Sequence, residues 1–397
     1  MRWLFADPNN EEEAAQVKET VAAIDRWWEA FQKKAPTLEK LVTGNSKMNL
    51  AKFMEDTLQA IHPSLMWEYG PAVHQEGNRL VITPESRRFL RPMVRTILER
   101  APKMAGWEFY PYRLAETLEV AILTVKSRVG VDITGALVDA SVAPGRKVDL
   151  DFAFPNQPEL DEETAMQAAF VATETLMGEQ VLDTWIGTIG LMDGEPISGT
   201  RPVPLERTQA TVATLIRGCL DHLPKERTQD ISVEDGWATV KLDRPEEADD
   251  YPGRSDLMTA ATHNVELFQA FHSGQAFSSA CHSKLHEMFC YLKLDAAEIA
   301  GGQIVEFRSQ FEEALNPALV AAGIGGCIGG GSGLRYAYID LALTDIKRAA
   351  PIIRKTLSEH GAPLRSWLLF HDDDYSGEWI GIYGQTPLPP GAEDLAA

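Results

Sequence analysis

The residues best suited to chemistry lie in one stretch, Gly323-Ile-Gly-Gly-Cys-Ile-Gly-Gly-Gly-Ser-Gly333, which runs directly into Leu334-Arg-Tyr-Ala-Tyr-Ile-Asp-Leu341. Glycine at this density lets a backbone take positive φ and approach a ligand or another chain closely. Neither GxxxxGK[ST] nor GxGxxG is present, and the segment leads into a strand pattern rather than a helix N-terminus, which argues against a phosphate loop. Two readings stay open: a structural Gly-rich hairpin or bulge, and a binding loop. The strand that follows alternates, with Ala337, Ile339, Leu341 and Leu343 on one side and Tyr336, Tyr338 and Asp340 on the other. The candidate binding set is therefore Gly329, Gly330, Gly331, Gly333, Arg335, Tyr336, Tyr338 and Asp340, joined by His371 at the end of a later strand.

A second candidate is cationic. Arg87, Arg91 and Arg95 stand at i, i+4 and i+8 with Arg88 beside them, which on one helix gives a ridge of guanidinium groups suited to carboxylate, phosphate or a subunit interface. Pro92 is expected to kink that helix. Cys281, His282, His286 and Cys290 contain ligand types but no standard zinc spacing, so they read as buried thiols and surface histidines. His371-Asp-Asp-Asp374 lacks the positional pattern of an EF-hand loop and reads as a solvated acidic turn. No metal or cofactor is called for. No GxSxG, HExxH or evident nucleophile–base pair stands out, which favours a binding protein over an enzyme.

The elements that must position these residues follow from hydrophobic periodicity. Asn10 to Lys34 carries a 3.6-residue apolar stripe with an acidic first turn. Helical patterns continue to about residue 61, ahead of Pro63. Thereafter a strand–helix–strand pattern recurs. In its first copy Leu65–Tyr69 and Arg79–Ile82 are strands, Glu85–Arg100 a helix and Trp107–Tyr112 a strand. In the second, Val120–Lys126 and Val148–Phe154 are strands, Glu162–Met177 a helix and Thr184–Leu191 a strand. In the third, Arg335–Leu343 is a strand, Asp345–His360 a helix and Ser366–His371 a strand, with Trp107, Trp185 and Trp367 in corresponding places. This predicts an α+β protein of repeated ferredoxin-like units with mixed or antiparallel sheets, helices on one sheet face and the other face open. The implied organisation is an N-terminal helical segment at 1–62, an α+β domain at 63–200 bounded by the Pro-rich stretch Pro196–Glu206, and a second at 201–397 with its clearest unit at 287–372. Asp243–Gly253 reads as an exposed loop and Gln385–Ala397 as a frayed acidic tail.

Charge limits the partners. The net charge is −21, yet residues 1 to 100 hold 14 acidic and 14 basic side chains, so the excess begins after residue 100. A polyanion gains nothing by displacing counterions from nucleic acid or anionic lipid, so neither is expected as a partner. Four cysteines without a CxxC pair, and a start lacking the apolar core of a leader, suggest a cytoplasmic setting.

Arg335-Tyr-Ala-Tyr-Ile-Asp-Leu341, with Cys290-Tyr-Leu-Lys-Leu294 as a first strand, resembles the aromatic strand pair of an RNA-recognition motif and implies a βαββαβ order. The 13 acids against 8 bases in residues 287 to 386 oppose RNA binding itself. The C-terminal half, from Tyr251-Pro-Gly-Arg-Ser-Asp-Leu257 through Tyr338-Ile-Asp-Leu-Ala-Leu-Thr344 to Trp367-Leu-Leu-Phe-His-Asp372, resembles bacterial proteins of unknown function and, more remotely, RraB-type regulators that inhibit ribonuclease E. That resemblance brings no catalytic residues. The leading expectation is a regulatory protein that holds a protein partner through an acidic surface and an open sheet face. The alternatives are an enzyme or small-ligand receptor with its pocket at the Gly-rich segment 323–333, and a structural subunit of a homo-oligomer.

Overall fold

A computed structural model describes residues 2–42, 48–192, 201–231, 236–243 and 254–392. The chain divides into two compact units, Met1–Leu114 and Ala115–Ala397. The division falls neither at residue 62 nor at 200. The helices before residue 62 share one core with the strands that follow, and Val203–Pro204 pairs with a strand at 137–142, tying the chain across the expected second boundary.

The first unit opens with α1 (Glu11–Val42) and α2 (Leu50–Thr57), then β1 (Met66–Pro71), β2 (Asn78–Thr83), α3 (Arg91–Glu99) and β3 (Trp107–Tyr110). The sheet order is β1-β2-β3, with β1 antiparallel and β3 parallel to β2. The apolar stripe of α1 becomes the core: Ile24, Trp27, Trp28, Phe31 and Leu38 are buried against Leu80, Ile82, Val94, Ile97 and Trp107. The Trp28 indole N–H donates to the Ile97 carbonyl at 2.8 Å, giving its polar edge a partner inside that core. Gly77 (φ 136°) lies so close to Gly106 that a Cβ would fall 2.1 Å from its carbonyl oxygen, so only glycine fits where β2 begins beside β3.

The expected arginine ridge does not form. Pro92 occupies the first turn of α3, where its missing N–H costs nothing, so it starts the helix rather than kinking it. Arg87 and Arg88 therefore lie in the preceding turn, and Arg91 turns inward. Arg91 is 1% exposed, donates from Nη1 to the Pro111 carbonyl at 2.8 Å and stands 4.1 Å over the Tyr112 ring. Arg87 is exposed and Arg95 half-buried, so the four do not share a face.

The second unit begins with α4 (Leu118–Val129), β4 (Leu137–Val142), β5 (Val148–Ala153), α5 (Glu162–Trp185), β6 (Ile186–Leu191), β7 (Val203–Pro204) and α6 (Thr208–Asp221). Its first sheet has the order β6-β5-β4-β7. Val120–Lys126, expected as a strand, is helical. The Thr117 side chain caps it by accepting from Val120 N, Gly130 closes it in the left-handed conformation, and Ala121 and Val125 are buried one turn apart. The chain continues through β8 (Ala238–Lys241), β9 (Leu257–Thr262), α7 (Val265–Phe271), β10 (Met288–Asp295), α8 (Ile304–Ala321), β11 (Gly325–Gly333), β12 (Tyr336–Leu343), α9 (Ile346–Glu359), β13 (Ser366–Phe370) and β14 (Ile380–Gly381). These strands form a seven-stranded sheet of order β14-β13-β10-β12-β11-β9-β8, every described pairing antiparallel. The fold is thus α+β with both mixed and antiparallel sheets. Helices α8 and α9 pack on each other, and α8 also contacts β11 and β12. No helix among the described residues is long and apolar enough to cross a membrane.

Most of the loop Asp243–Gly253 and the last five residues, 393–397, lie outside the described residues. The part of the expected tail that is described packs rather than frays: Thr386 is buried, and the Trp367 indole donates to the Pro387 carbonyl at 2.6 Å.

Candidate functional site

The Gly-rich segment is not a loop. It is β11, a central strand between β12 and β9, with a bulge between Cys327 and Gly329. Its glycines make room for neighbouring side chains. A Cβ at Gly329 would lie 3.1 Å from Asp340 Oδ2, one at Gly331 2.4 Å from Leu257 Cδ1, and one at Gly333 2.3 Å from Asp256 Oδ2. A Cβ at Gly330 would come 2.5 Å from the Tyr338 carbonyl oxygen. The space glycine leaves is thus filled by this chain.

The alternation of β12 places Tyr336, Tyr338 and Asp340 together on one sheet face, but that face is covered. Tyr336 and Tyr338 are fully buried and Asp340 is 3% exposed. Antiparallel register brings Tyr291 of β10 opposite Asp340 and Lys293 opposite Tyr338, with Leu369 and Trp367 of β13 beyond them. Phe268 of α7 and Trp379 close over this layer. That face is therefore not open among the described residues: α7 and the chain after β13 cover it.

Beneath the cover sits a buried charged set. Arg254 Nη1 donates to Asp340 Oδ1 at 2.5 Å, and His371 Nε2 lies 3.5 Å from the same oxygen. The three side chains are 6%, 4% and 7% exposed. Burial alone would raise the Asp340 carboxyl, but the Arg254 guanidinium and His371 outweigh it and hold the group below its ordinary value. Burial drives the His371 imidazole down to about 4, overcoming the pull of Asp340, so at neutral pH the set is Arg⁺, Asp⁻ and neutral His. The His371 ring stacks on Phe271 at 3.6 Å between centroids and lies 4.8 Å from the Tyr291 ring. Arg254 stands 5.4 Å from the Tyr338 ring centroid and 5.7 Å from that of Tyr291. Its Nε and Nη2 have no hydrogen-bond partner among the described residues.

The other candidates are distributed along the same face. Asp256, fully buried, accepts from the Tyr338 hydroxyl and from the backbone N–H groups of Arg335 and Tyr336, which fixes the turn between β11 and β12. Arg335 and Arg365 both reach Asp295, and Arg365 donates to the Tyr336 hydroxyl at 3.0 Å. Of the sequence candidates, then, only Asp340 and His371 come into direct contact in the charged set; Arg335 and Tyr336 belong to the ion pairs at the other end of β12. His282, expected at the surface, is buried and stacks on Phe277. Asp372, expected in a solvated turn, is buried and accepts hydrogen bonds from the Ser279 backbone N–H and hydroxyl.

Next to the charged set the structure opens a cavity of about 270 Å³. Its walls are Tyr291 of β10, Leu369 and Phe370 of β13, the following turn (Tyr375, Ser376, Glu378, Trp379) and Pro389 to Ala392. Tyr291 belongs to both features, lining the cavity on one side and lying beside His371 and Arg254 on the other. Burial pushes its phenol up to about 12, so it is a neutral hydroxyl at physiological pH. Sequence reasoning missed Arg254, Asp256, Tyr291 and Trp379. The alternation Cys290-Tyr-Leu-Lys-Leu294 could have put Tyr291 and Lys293 on one face, but nothing local marks the others.

No family model, no curated protein and no solved structure matches this chain.

Proposed function

We propose that the protein is a small-ligand receptor whose site is the cavity bounded by Tyr291, Leu369, Tyr375, Glu378 and Trp379. The observation that carries this reading is the cavity itself: an aromatic and aliphatic pocket with few polar groups, near the lower end of the size range of ligand sites, resting on a buried set of ionised side chains. The reading keeps the expected receptor but moves its pocket from β11 to the opposite side of β10.

The rest of the unit supplies a rigid frame for such a site. The stretch β10-α8-β11-β12-α9-β13, with sheet order β13-β10-β12-β11, is what we read as a ferredoxin-like βαββαβ unit, widened by β9 and β8 on one edge and β14 on the other. The cavity lies where β13 meets the widening segment. Four unbridged thiols support a cytoplasmic setting for the receptor.

The test is a thermal-shift screen of the full chain against a library of small amines, alcohols and carboxylic acids, run beside Leu369→Trp, which fills the cavity. Hits that stabilise the wild type and are lost in Leu369→Trp support the reading. A screen without hits, or hits equally strong in Leu369→Trp, would overturn it.

A further inference from the structure

The polar side chains along the cavity are not equivalent. Ser376 donates to the Asp373 carbonyl at 2.8 Å, and Tyr375, Glu378 and Trp379 have interaction partners of their own. Tyr291 differs: its ring is packed, yet its hydroxyl has no hydrogen-bond partner among the described residues. Its neighbours on the same sheet face do have one. The Tyr338 hydroxyl donates to Asp256, and the Tyr336 hydroxyl accepts from Arg365. Tyr291 is 6% exposed, its oxygen is not sealed from solvent, and the open space the residue lines is the cavity.

A buried phenol ordinarily finds a partner, because an unpaired hydroxyl withdrawn from water costs stability. Here the ring is not free to turn toward one. Register sets Tyr291 between Asp340 of β12 and Leu369 of β13, with the His371 ring at 4.8 Å and the Arg254 guanidinium at 5.7 Å from its centroid. Burial holds the phenol neutral, its value pushed up to about 12, so it offers a proton to donate and only a weak acceptor. Leu369, Pro389, Pro390 and Ala392 supply apolar surface around it. Water entering the cavity can meet the hydroxyl, but a purely apolar ligand that displaces that water leaves the donor bare.

Resting on the receptor reading above, we propose that the cavity takes a compact apolar molecule carrying one uncharged carbonyl oxygen, which accepts from the Tyr291 hydroxyl while the hydrocarbon body lies against Leu369 and the two prolines. Tyr291 then decides between ligands of equal shape. Its hydroxyl destabilises the empty protein slightly and is satisfied only when a ligand oxygen arrives, the pattern expected of a group that serves binding rather than folding.

The test uses the full chain and two probes of one shape, the rigid ketone camphor and its parent hydrocarbon bornane, with affinity read by ligand-observed NMR. Both are expected to bind the wild type and to be lost in Leu369→Trp. Tyr291→Phe should weaken camphor by about five- to tenfold and leave bornane unchanged or tighter, so that the ratio of the two affinities changes by that factor. The melting temperature supplies a second readout. Tyr291→Phe should not lower it, since the hydroxyl makes no hydrogen bond among the described residues, whereas Tyr338→Phe, which loses the bond to Asp256, should. A fall in Tyr291→Phe as large as that in Tyr338→Phe means that the hydroxyl serves the fold and overturns the proposal. The same camphor-to-bornane ratio in wild type and Tyr291→Phe overturns it too and leaves the receptor reading standing. Failure of both probes, while the thermal-shift library still yields hits lost in Leu369→Trp, again overturns the carbonyl proposal alone. Failure of both probes together with an empty library screen removes both readings.

Discussion

Replacing Arg254 by Met should give the protein a loss of stability with rising pH above neutrality that the wild-type charged set does not produce. In the wild type, Arg254 balances Asp340 and leaves His371 neutral, with its folded value near 4 against an ordinary 6.5. A depressed imidazole means that the unfolded chain binds the proton first, so the contribution of His371 is fully present above about 6.5 and is lost as pH falls toward 4. At about 1.4 kcal/mol per unit of pKa difference, the 2.5-unit gap amounts to about 3 kcal/mol across that window. Above 6.5 His371 contributes no slope.

Without Arg254 the buried Asp340 charge must be neutralised by other means. The nearest is the imidazole 3.5 Å away, freed of the guanidinium that lowers its affinity for a proton. The His371–Asp340 pair then retains one proton in the folded state to a pH above 6.5, and folding takes up a proton that the unfolded chain has released. Stability is then lost as pH rises, by up to about 1.4 kcal/mol per pH unit, or about 2 kcal/mol between pH 6.5 and 8. Truncation of one partner of a buried ion pair costs about 3–5 kcal/mol in general, so Arg254→Met should already be weakened at pH 6.5 and fall further from there. The assay is the urea midpoint of the full chain from pH 5 to pH 8 for wild type, Arg254→Met and the double variant Arg254→Met/Asp340→Asn. His282, whose burial also shifts it, contributes to all three profiles and cancels in the differences; His272, which feels Arg254 and Asp340, and Glu312, which feels Asp340, do not cancel, so His272→Gln and Glu312→Gln are carried in all three backgrounds. The double variant should lose the slope above 6.5, since no buried carboxylate is left to hold the proton. Parallel profiles for wild type and Arg254→Met above pH 6.5 would refute the coupling.

Two further outcomes follow from packing. Gly331→Ala should destabilise the second unit by about 1–3 kcal/mol, because its Cβ meets both a buried leucine side chain and the Thr259 carbonyl, whereas Gly361→Ala, in open space, should cost no more than the strain of its positive φ; comparison of melting temperatures decides this. In the native state the buried Cys281 and Cys290 should react slowly with a disulfide reagent, since burial raises both thiols, Cys281 to about 11, and the half-buried Cys219 should label before them; peptide mapping after partial modification reads the order.

What the sequence makes legible here is what a local period can carry. The 3.6-residue stripe of α1 and the twofold alternation of β12 each assign residues to faces; the first matches the burial of Trp27 and Phe31, whereas Tyr336 and Tyr338 share a face as the alternation requires but that face is covered instead of open. Val120–Lys126 shows where period runs out: a short apolar run with β-branched residues suits strand and helix alike, and only the cap at Thr117 and the left-handed Gly130 decide it. Strand β11 carries no period at all, because glycine contributes no side chain to alternate and little intrinsic preference for a strand. Its place comes from pairing on both sides, and its composition from the Asp340, Leu257 and Asp256 side chains that need the space.

The charged set is harder still to read in one dimension. Asp340 faces what a strand pattern marks as the solvent side, and an acid there is unremarkable until its partner is known. That partner, Arg254, is 86 residues earlier in the chain, next to a stretch that reads as exposed loop. The acid on the supposed outer face was therefore a sign of cover rather than of solvent. An ionised carboxylate withdrawn from water requires a compensating cation, and here the cation and the rings of Phe271 and Tyr291 arrive from three other elements, α7, β10 and the approach to β9. The same argument bears on the cavity. Tyr291 is held by the charged set on one side, so the wall it presents to a ligand is fixed before any ligand arrives, and affinity at that wall should depend on Arg254 and Asp340 although neither lines the cavity.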